Sequence, residues 1–548
     1  MSTRLSPDHV AAIERERRVV VNFDAFPSMM QLPSIDVEHM KAALFEFIDD
    51  SQTRIDNVWW NFTEGNEAYW PSKILPFIEA PPYGEWSETG FDPVQTLLAE
   101  TRRRGLETFF TYRINGSDND VPGRVPRLAM KEDHPDWLIH TWNKTIGDAT
   151  GERLNGYWNF AVQGVRDYKL SILEEIAGQY DYDGMEIDFA RVCPVLPPGK
   201  QWENRDALTN FMRSVRSMLL GVGERRGRPY LLAARVPENL VGCRMDGLDV
   251  ETWAREELVD IFTLGCRSFD VDIAAFRRIT ERTHIKLYPV LDDHHSTDGY
   301  RFPPIEVFRG VLANWLHQGA DGLQTFNFAY ARSETIEKYK MRDTWLGWPT
   351  HLQFYRELAD IDAMNQRSKV FVVQRRGGGH GPFVVPNPED WSTPRWMYFN
   401  TNMFAPLPAE LDPAGRADTL LHVYVGEQVP PDAEVTVRLL LSDNSAANLP
   451  DGERLQRVVV ATIGHEDSRL ENTPPALGIE EHVELRLNNA LLETSSVDDG
   501  WLVFEAFPVQ LAAGDNLLAV RLTYGDSEAR GEVQVEKLEI HVNRRLSS

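Results

Sequence analysis

Short apolar runs alternate with amphipathic stripes through the first two thirds of the chain. The run VVVNFD at 19–24 predicts a strand, and the helical stripe after it is made of Val37, Met40, Leu44 and Ile48. The same alternation predicts further strands at 57–62, 106–113, 183–189, 230–236, 259–264, 285–291 and 321–328. A helix is predicted after each strand, and the last three are expected at 272–283, 304–318 and 351–365.

Eight apolar strands, each followed by a helix, are typical of a (β/α)8 TIM barrel with enlarged βα loops. The alternative α/β fold is a doubly wound parallel sheet. Such sheets bind nucleotides through glycine-rich fingerprints, but no G-x-G-x-x-G follows the first strand and no G-x-x-x-x-G-K-[ST] occurs. The pattern therefore favours the barrel, with residues 1–368 as its domain.

From residue 369 onward the pattern changes to period two, without helices between the apolar segments. A linker rich in glycine and proline comes first, followed by alternating runs at 419–425, 434–441, 457–464, 482–489, 501–507, 516–522 and 533–542. Short alternating strands separated by turn residues indicate an antiparallel β-sandwich. We expect residues 369–548 to form this accessory domain, either as a carbohydrate-binding module or as a surface for homo-oligomer assembly.

Charge and composition narrow the classes of partner. The 548 residues include 57 Lys and Arg against 83 Asp and Glu, a formal net charge of -26, which argues against nucleic acid and anionic membranes. The segment MSTRLSPDHVAAIERERR lacks the apolar core of a secretory signal, and no segment has the roughly 18 apolar residues of a membrane helix. The three cysteines are isolated, so we expect a cytoplasmic protein without metal or cofactor.

The fourth predicted strand carries the most informative chemistry. Apolar residues alternate there with Glu186 and Asp188, and period two places both carboxylates on one face. Inside a barrel, two acids are unfavourable unless they are paired, hydrogen-bonded or used in catalysis. Asp292, at the end of the seventh strand, is a third candidate. These three are the predicted catalytic residues.

Other polar and aromatic residues follow the predicted strands, where barrel enzymes carry their active sites. As substrate-binding residues we predict Asp24, Trp60, Glu64, Trp70, Arg113, Asn115, Arg191, Trp202, Arg235, Asp293, His294 and Asn327. A metal site in the run from Asp292 to His295 is disfavoured, because neighbouring residues on a strand point to opposite faces.

Glycosidic bond cleavage matches this set of residues. The reaction uses two carboxylates, with polar groups to hold hydroxyls and aromatic rings to stack on sugars. Most of the 15 tryptophans lie in the predicted barrel. The arginines at strand ends suit a carboxylate or sulfate, so uronic and sulfated sugars are among the expected substrates.

Several segments together resemble the family-10-like glycosyl hydrolases, a bacterial group of (β/α)8 proteins. They lie between about residues 15 and 335 and include VWWNFTEGNEAYWPS, YRINGSDND, HPDW, YDYDGMEIDFAR, LAARVP, GLDVETW and GADGLQTFNF. The resemblance implies a carbohydrate-active barrel. It places in the active centre Glu186, Asp188, Arg191, Arg113, Asn115, Arg235 and Asn327. The loop after the third strand departs from the family pattern, because Gly116 and Ser117 replace the expected acidic or histidine residues.

The resulting hypothesis is a glycoside hydrolase that acts on an oligosaccharide inside the cell, with Asp188 as nucleophile or base. The second carboxylate is left open among Glu186, Glu64, Asp292 and Asp293. The retaining or inverting outcome is open too. The alternatives are a barrel that binds carbohydrate without catalysis, and a sugar lyase or isomerase using the same pocket.

Overall fold

The structure is a computed structural model, and it describes most of the chain. The described residues are 5–24, 38, 41, 44–62, 66–78, 83–115, 128–139, 157–191, 193–265, 268–292, 300, 303–338, 340, 347–375, 404–443, 480–498, 500–523 and 533–544. Several sequence predictions lie outside these residues, namely Glu64, Asp293, His294, the loop at Gly116 and the segment 457–464.

Eight parallel strands close into a barrel in the order of the chain, which confirms the predicted fold class. Their bounds are β1 Val19–Asp24, β2 Asn57–Asn61, β3 Glu107–Arg113, β4 Gly184–Asp188, β5 Leu231–Val236, β6 Ile261–Leu264, β7 Lys286–Leu291 and β8 Leu323–Phe326. Nearly every residue of these strands is buried, because helices cover the outer face and side chains fill the interior.

Helices surround the barrel and also close one end of it. They are α1 Pro7–Glu14, α2 Tyr83–Thr89, α3 Pro93–Arg103, α4 Ala129–Asp133, α5 Gln163–Gln179, α6 Arg205–Arg226, α7 Leu240–Asp246, α8 Val250–Arg255, α9 Ile273–Thr280, α10 Ile305–His317, α11 Ser333–Lys338, α12 Pro349–Glu357 and α13 Ile361–Asn365. Within the part of the chain that the structure describes, no helix is long and apolar enough to cross a bilayer.

The predicted helix at 351–365 is two helices, α12 and α13. Asp360 separates them: its backbone is non-helical, and its side chain accepts a hydrogen bond from Ala363 N at 2.9 Å. An aspartate in this role satisfies a free N–H group at the start of a new helix. The apolar stripe continues across the break, which is why periodicity alone suggested one element.

A close aromatic contact fills the lower part of the barrel interior. The rings of Trp59 on β2 and Phe109 on β3 stack with centroids 4.5 Å apart. Phe109 also lies against Gly184 on β4, where a Cβ atom would stand only 2.5 Å from the ring. Glycine at 184 therefore leaves the volume that the Phe109 ring occupies, and this layer separates the two ends of the barrel.

The C-terminal part folds into two antiparallel sheets, as predicted. One sheet has the order β10-β18-β12-β16-β15 with β9 also on β18, and the other has the order β11-β17-β13-β14. The bounds are β9 Lys369–Val372, β10 Ala409–Glu410, β11 Thr419–Val425, β12 Glu434–Asp443, β13 Val483–Leu487, β14 Ala490–Leu492, β15 Thr494–Asp498, β16 Trp501–Ala506, β17 Gly514–Leu522 and β18 Val533–Asn543.

Helix α10 and strand β9 join the sandwich to the barrel. Val370 packs into the barrel core, whereas its neighbour Phe371 packs into the sandwich core. Gly310 of α10 lies directly against the Val370 backbone, in a space that a side chain would fill. The buried Lys369 ammonium binds Glu427 Oε2 at 2.7 Å beside the β11 edge. The sandwich is thus packed directly onto the barrel wall.

Candidate active site

Charged side chains from several strands meet inside the barrel at the carboxyl ends of its strands. The register pairs Arg113 of β3 with Asp188 of β4, and Asp188 with Arg235 of β5, so these three residues lie at one level. All three are at most 2% exposed. These opposite charges lie at the carboxyl ends of the strands, which is the end at which barrel enzymes bind their substrates.

The Asp188 carboxylate is held by donors on both oxygens. Its Oδ1 accepts hydrogen bonds from the backbone N–H groups of Ala190 at 3.0 Å and Arg191 at 2.9 Å. Its Oδ2 accepts a hydrogen bond from Arg235 Nη1 at 3.3 Å. These contacts come from the turn after β4 and from the neighbouring strand, and they set the direction in which the carboxylate points.

Glu186 lies one layer deeper and is surrounded by hydrogen-bond donors. Its Oε2 accepts from Asn22 Nδ2 at 2.8 Å and from Thr111 Oγ1 at 3.0 Å. Its Oε1 accepts from Thr263 Oγ1 at 2.7 Å and from Gln324 Nε2 at 3.2 Å. Donors from β1, β3, β6 and β8 thus converge on one carboxyl group, which links four strands across the barrel interior.

The electrostatics of Glu186 differ from those of an exposed acid. Burial raises its pKa above the ordinary value, opposed by the charge of Arg235 and assisted by that of Asp188. The Arg235 guanidinium lies 3.5 Å from Glu186 Oε2 and also donates to Gln324 Oε1 at 2.5 Å. Arg235 therefore bridges the Glu186 layer and the Asp188 layer above it.

Asp24 forms the opposite side of this ring of charges. Its carboxylate accepts from Arg113 Nη2 at 2.5 Å, Asn61 Nδ2 at 2.8 Å and Asn327 Nδ2 at 3.0 Å. Burial raises the pKa of Asp24, but Arg113, the two amides and the charge of Arg191 together bring it below its ordinary value. Asn327 has a left-handed backbone with φ 53°, and its Oδ1 accepts from the Asp24 N–H at 2.7 Å.

The remaining predicted polar residues have different surroundings. Asp292 directly follows β7. Alternation along the strand places it on the inward face with Tyr288 and Val290, and it is 1% exposed. Arg191 is half-buried, and its charge acts on Asp24. Asn115 is fully buried and joins two loops, because its Nδ2 donates to Pro194 O at 2.6 Å and its Oδ1 accepts from Trp158 N at 2.8 Å.

The structure does not bring Trp60 and Trp70 to the candidate site. Trp60 points out of the barrel, where Nε1 donates to Thr101 Oγ1 of α3 at 2.9 Å and the ring is 1% exposed. Trp70 is fully buried and donates from Nε1 to Glu175 Oε2 of α5 at 3.2 Å. Both rings fill the space between the barrel and its helices, which is the usual use of large aromatic side chains.

Trp202 is half-buried in the loop between β4 and α6. Two guanidinium groups lie over its ring, that of Arg205 at 4.8 Å and that of Arg244 at 4.6 Å from the centroid. These cation–π contacts occupy part of the ring surface that a sugar would use. Trp202 therefore combines aromatic area with positive charge at the rim of the barrel.

A carboxylate cluster after β5 and β6 was missed by the sequence analysis. It consists of Glu238, Asp270 and Asp272, and the backbone of Glu238 accepts a hydrogen bond from Asp272 N at 3.0 Å. Asp270 reaches solvent, yet desolvation by the surrounding protein, with the charges of Asp272 and Glu238, raises its pKa to about 6. An acid that is both accessible and desolvated fits the wall of a cleft.

Residues 26–203 match the family model described as Glycosyl hydrolase-like 10. The match confirms the predicted resemblance for this part of the chain. Glycosyl hydrolase DigH of Escherichia coli (strain K12) is 25% identical over 169 residues, which are 28% of this chain and 36% of that protein. Glycosyl hydrolase YngK of Bacillus subtilis (strain 168) is 27% identical over 217 residues, 37% of this chain and 39% of that protein.

The chain thus spans little more than a third of the length of these curated relatives. Among solved structures, the PgaB (BpsB) glycoside hydrolase domain from Bordetella bronchiseptica is similar to this chain with a TM-score of 0.41 and 14% sequence identity. That similarity covers 63% of this chain and 99% of the other. The family match supports a glycosidase-like function, and the site described above lies partly within the matched residues.

Proposed function

We propose that the protein is a glycoside hydrolase that cleaves O-glycosidic bonds of an oligosaccharide, with Asp188 as nucleophile or base. The observation that supports this most directly is the oriented Asp188 carboxylate within a ring of charged groups at the carboxyl ends of the strands. Two backbone N–H groups and Arg235 fix its direction, so the carboxylate is oriented before a substrate binds. The family match to residues 26–203 agrees with this reaction class.

Glu186 is proposed as a positioning residue rather than as the second catalytic acid. Its two oxygens already accept four side-chain hydrogen bonds, and the layer that contains Asp188 and Arg113 lies between it and the cleft. A group so engaged is not free to transfer a proton to a substrate. We infer that Glu186 holds Arg235 in place, and that Arg235 in turn orients Asp188.

The general acid in this proposal is Asp270, with Asp292 as the alternative. A glycosidase acid must be protonated when the bond breaks, which favours a carboxyl group whose pKa is raised towards neutrality. Asp270 has this property, since its pKa lies near 6, and it reaches solvent. Asp292 is inward-facing and as deeply buried as Asp188, at 1% exposure, so it is kept as the alternative acid.

Substrates with different leaving groups can show whether Asp270 or Asp292 is the general acid. Wild-type protein is expected to release reducing ends from an oligosaccharide panel that includes neutral, uronic and sulfated chains. Asp270→Asn should lose this activity but retain cleavage of a dinitrophenyl glycoside, because such a leaving group departs without protonation. Asp272→Asn, which alters the cap of α9, is the matched control. If Asp292→Asn shows the leaving-group dependence instead, Asp292 is the acid.

Two other functions predict different products. A sugar lyase would generate an unsaturated product that absorbs ultraviolet light, in place of a new reducing end. A barrel that only binds carbohydrate would show saturable binding and no product from any substrate in the panel. Either result would overturn the hydrolase assignment, since both leave the glycosidic bond unhydrolysed.

A further inference from the structure

Strand β9 lies between the barrel and the sandwich, and its side chains alternate between the two. Val370 packs into the barrel core, whereas Phe371 and Val373 pack into the sandwich core. Period two continues past the end of the strand, so Gln374 is expected to face the barrel as Val370 does. Gln374 is 1% exposed, and its side-chain oxygen contacts the backbone of a barrel loop. A residue held by the sandwich thus reaches into the barrel domain.

The sandwich fixes the backbone on either side of Gln374. Val373 N donates to a β18 carbonyl group at 3.0 Å. The Arg375 guanidinium donates to Glu536 Oε2 through Nε at 3.1 Å and Nη2 at 2.9 Å, and Ser442 Oγ donates to Glu536 Oε1 at 2.6 Å. Arg375 and Glu536 are at most 2% exposed. Separating such a buried pair is costly, because each charge would lose its partner, so the position of Gln374 is set by the sandwich.

The barrel loop that Gln374 contacts carries Asp270, the proposed general acid. Gln374 Oε1 accepts a hydrogen bond from Phe269 N at 2.8 Å, and Trp315 Nε1 of α10 donates to Phe269 O at 3.0 Å. Side chains from outside the loop therefore bind both backbone groups of the residue just before Asp270. Phe269 and Trp315 are also buried, and hydrogen bonds are stronger away from bulk water.

The chain after Asp270 is fixed as well. Asp272 N donates to Glu238 O at 3.0 Å, and Asp272 Oδ1 accepts from Ala275 N at 3.0 Å in the first turn of α9. Ser268 Oγ donates to Asp270 O at 2.6 Å. Asp270 thus lies between two fixed points, with its side chain reaching solvent. Because the span is so short, the place of the Asp270 carboxyl group depends on the contacts at its two ends.

We propose that Gln374 is a positioning residue for the general acid, and that through it the sandwich takes part in catalysis. The inference rests on the proposed glycoside hydrolase function, because it assumes that Asp270 donates its proton to the glycosidic oxygen as the bond breaks. Gln374 is buried and acts through the Phe269 backbone, which keeps the Asp270 carboxyl group within hydrogen-bond reach of that oxygen. This gives the C-terminal part a role that requires no binding of carbohydrate.

Gln374→Met tests this role in the full chain, because methionine keeps the side-chain length but has no oxygen to accept from Phe269 N. On oligosaccharides we expect kcat to fall about tenfold with KM little changed, since small displacements of a reacting group slow the chemical step. On a dinitrophenyl glycoside, which needs no proton, the rate should fall less than about twofold. In an Asp270→Asn background, Gln374→Met should have no further effect, because a positioning residue acts only through the acid.

Asn314→Leu is the matched control. Asn314 Oδ1 of α10 accepts from Gly426 N at 2.8 Å, so it makes a hydrogen bond of the same kind and length between barrel and sandwich, to a different segment. Both rates should stay near those of wild type in this variant. Hydrogen exchange provides a readout without turnover: the segment 268–273 should exchange faster in Gln374→Met and as in wild type in Asn314→Leu.

The outcomes separate this inference from the proposed function. Equal losses on both substrates, or unchanged exchange of the segment 268–273, would overturn the role of Gln374 while hydrolysis by wild type still stood. Asp270→Asn without leaving-group dependence would overturn it too, because the acid would then be another group. No hydrolysis of any substrate by wild type would overturn the proposed function itself. If Gln374→Met does not fold, Trp315→Phe, which removes the donor to Phe269 O, should show the same difference between the two substrates.

Discussion

The two ends of the barrel each contain a buried arginine–aspartate pair, and the two pairs differ in how closely they are joined. At the end covered by α1, Asp260 accepts from Arg216 at 2.6 and 2.8 Å, from His9 at 3.0 Å and from the Leu232 N–H at 2.7 Å. At the open end, Asp188 shares one hydrogen bond of 3.3 Å with Arg235. The closed end uses its charges to hold elements together, whereas at the open end Asp188 and Arg235 are joined only by one longer contact.

Helix α1 accounts for much of this difference. Ser6 caps it and Pro7 begins it, and Ile13 packs under the barrel with Val20 and Trp59. Arg17, just after the helix, binds Glu107 of β3 through Nε at 2.5 Å and Nη2 at 2.9 Å. A covered end excludes water and saturates its charges, so stability resides there. The open end, which carries the candidate site, has a longer contact between Asp188 and Arg235.

The largest expected effect is at the open end. Asp188→Asn should lower the rate of hydrolysis about 1,000-fold, within the range for removing a nucleophile or general base. Its unfolding free energy should fall by less than that of Arg216→Gln, because the amide oxygen can still accept from the Ala190 and Arg191 N–H groups and Arg235 keeps Glu186 and Gln324 as partners. Activity assays and urea unfolding of the same preparation check both parts. A large loss of stability would contradict the division between the two ends.

The closed end should show the opposite behaviour. Arg216→Gln leaves the Asp260 carboxylate buried without its bidentate partner, which is expected to lower the unfolding free energy by about 3 to 5 kcal/mol. The activity per folded molecule should stay near that of wild type. Urea unfolding measures the loss of stability, and reaction rates divided by the concentration of folded protein measure the activity.

Arg213 provides the control on the same helix, one turn earlier. It binds Glu256 with two hydrogen bonds of 2.6 and 2.7 Å, but its side chain is 44% exposed. Arg213→Gln should therefore cost less than about 1 kcal/mol, because solvent screens exposed pairs. Equal losses in Arg213→Gln and Arg216→Gln would show that burial does not determine the strength of the pair.

The pH dependence of hydrolysis tests the carboxylate cluster. If Asp270 is the general acid, kcat/KM should fall as the pH rises through about 6, because the pKa of Asp270 is raised to that value and the acid must be protonated. Asp272→Asn should keep this limb on oligosaccharides but move it to lower pH, because the Asp272 charge helps to raise the pKa of Asp270. Dinitrophenyl glycosides need no proton from the acid, so their cleavage by Asp270→Asn should show no basic limb. A limb that persists in Asp270→Asn would assign the titration to another group.

A smaller effect is expected for the stability of Glu186→Gln. Burial raises the pKa of Glu186 above its ordinary value of 4.5, so the folded state holds this proton more tightly than the unfolded state. The bound proton on Glu186 stabilises the folded state fully below pH 4.5. This stabilisation is lost as the pH rises through the pKa that Glu186 has in the folded state. Relative to wild type, the variant should gain in melting temperature between pH 4 and 7, as followed by circular dichroism. A constant difference across this range would contradict the raised pKa.

Local patterns predicted the barrel strands and the inward direction of Glu186 and Asp188, because alternation along one strand does not depend on distant residues. The same logic could not decide between Trp59 and Trp60, which are adjacent and point to opposite faces of β2. The structure turns Trp59 inward against Phe109 and leaves Trp60 outside. Asp270 was not predicted as a site residue, because it lies in a loop six positions after β6 ends at Leu264, and a loop has no periodic pattern.

The amino-acid sequence by itself determined the order of strands and helices, the change to an antiparallel C-terminal part and the class of chemistry that the acids allow. Only the tertiary structure decided which charges meet. Asp24 and Asn327 are 303 positions apart, and Arg216 and Asp260 are 44 apart. Periodicity is a property of neighbouring residues, whereas an ion pair forms wherever barrel closure brings two strands or helices together. For that reason the sequence could predict which acids are candidates for catalysis. Only the closed barrel shows which charges lie at the covered end and which lie at the open end.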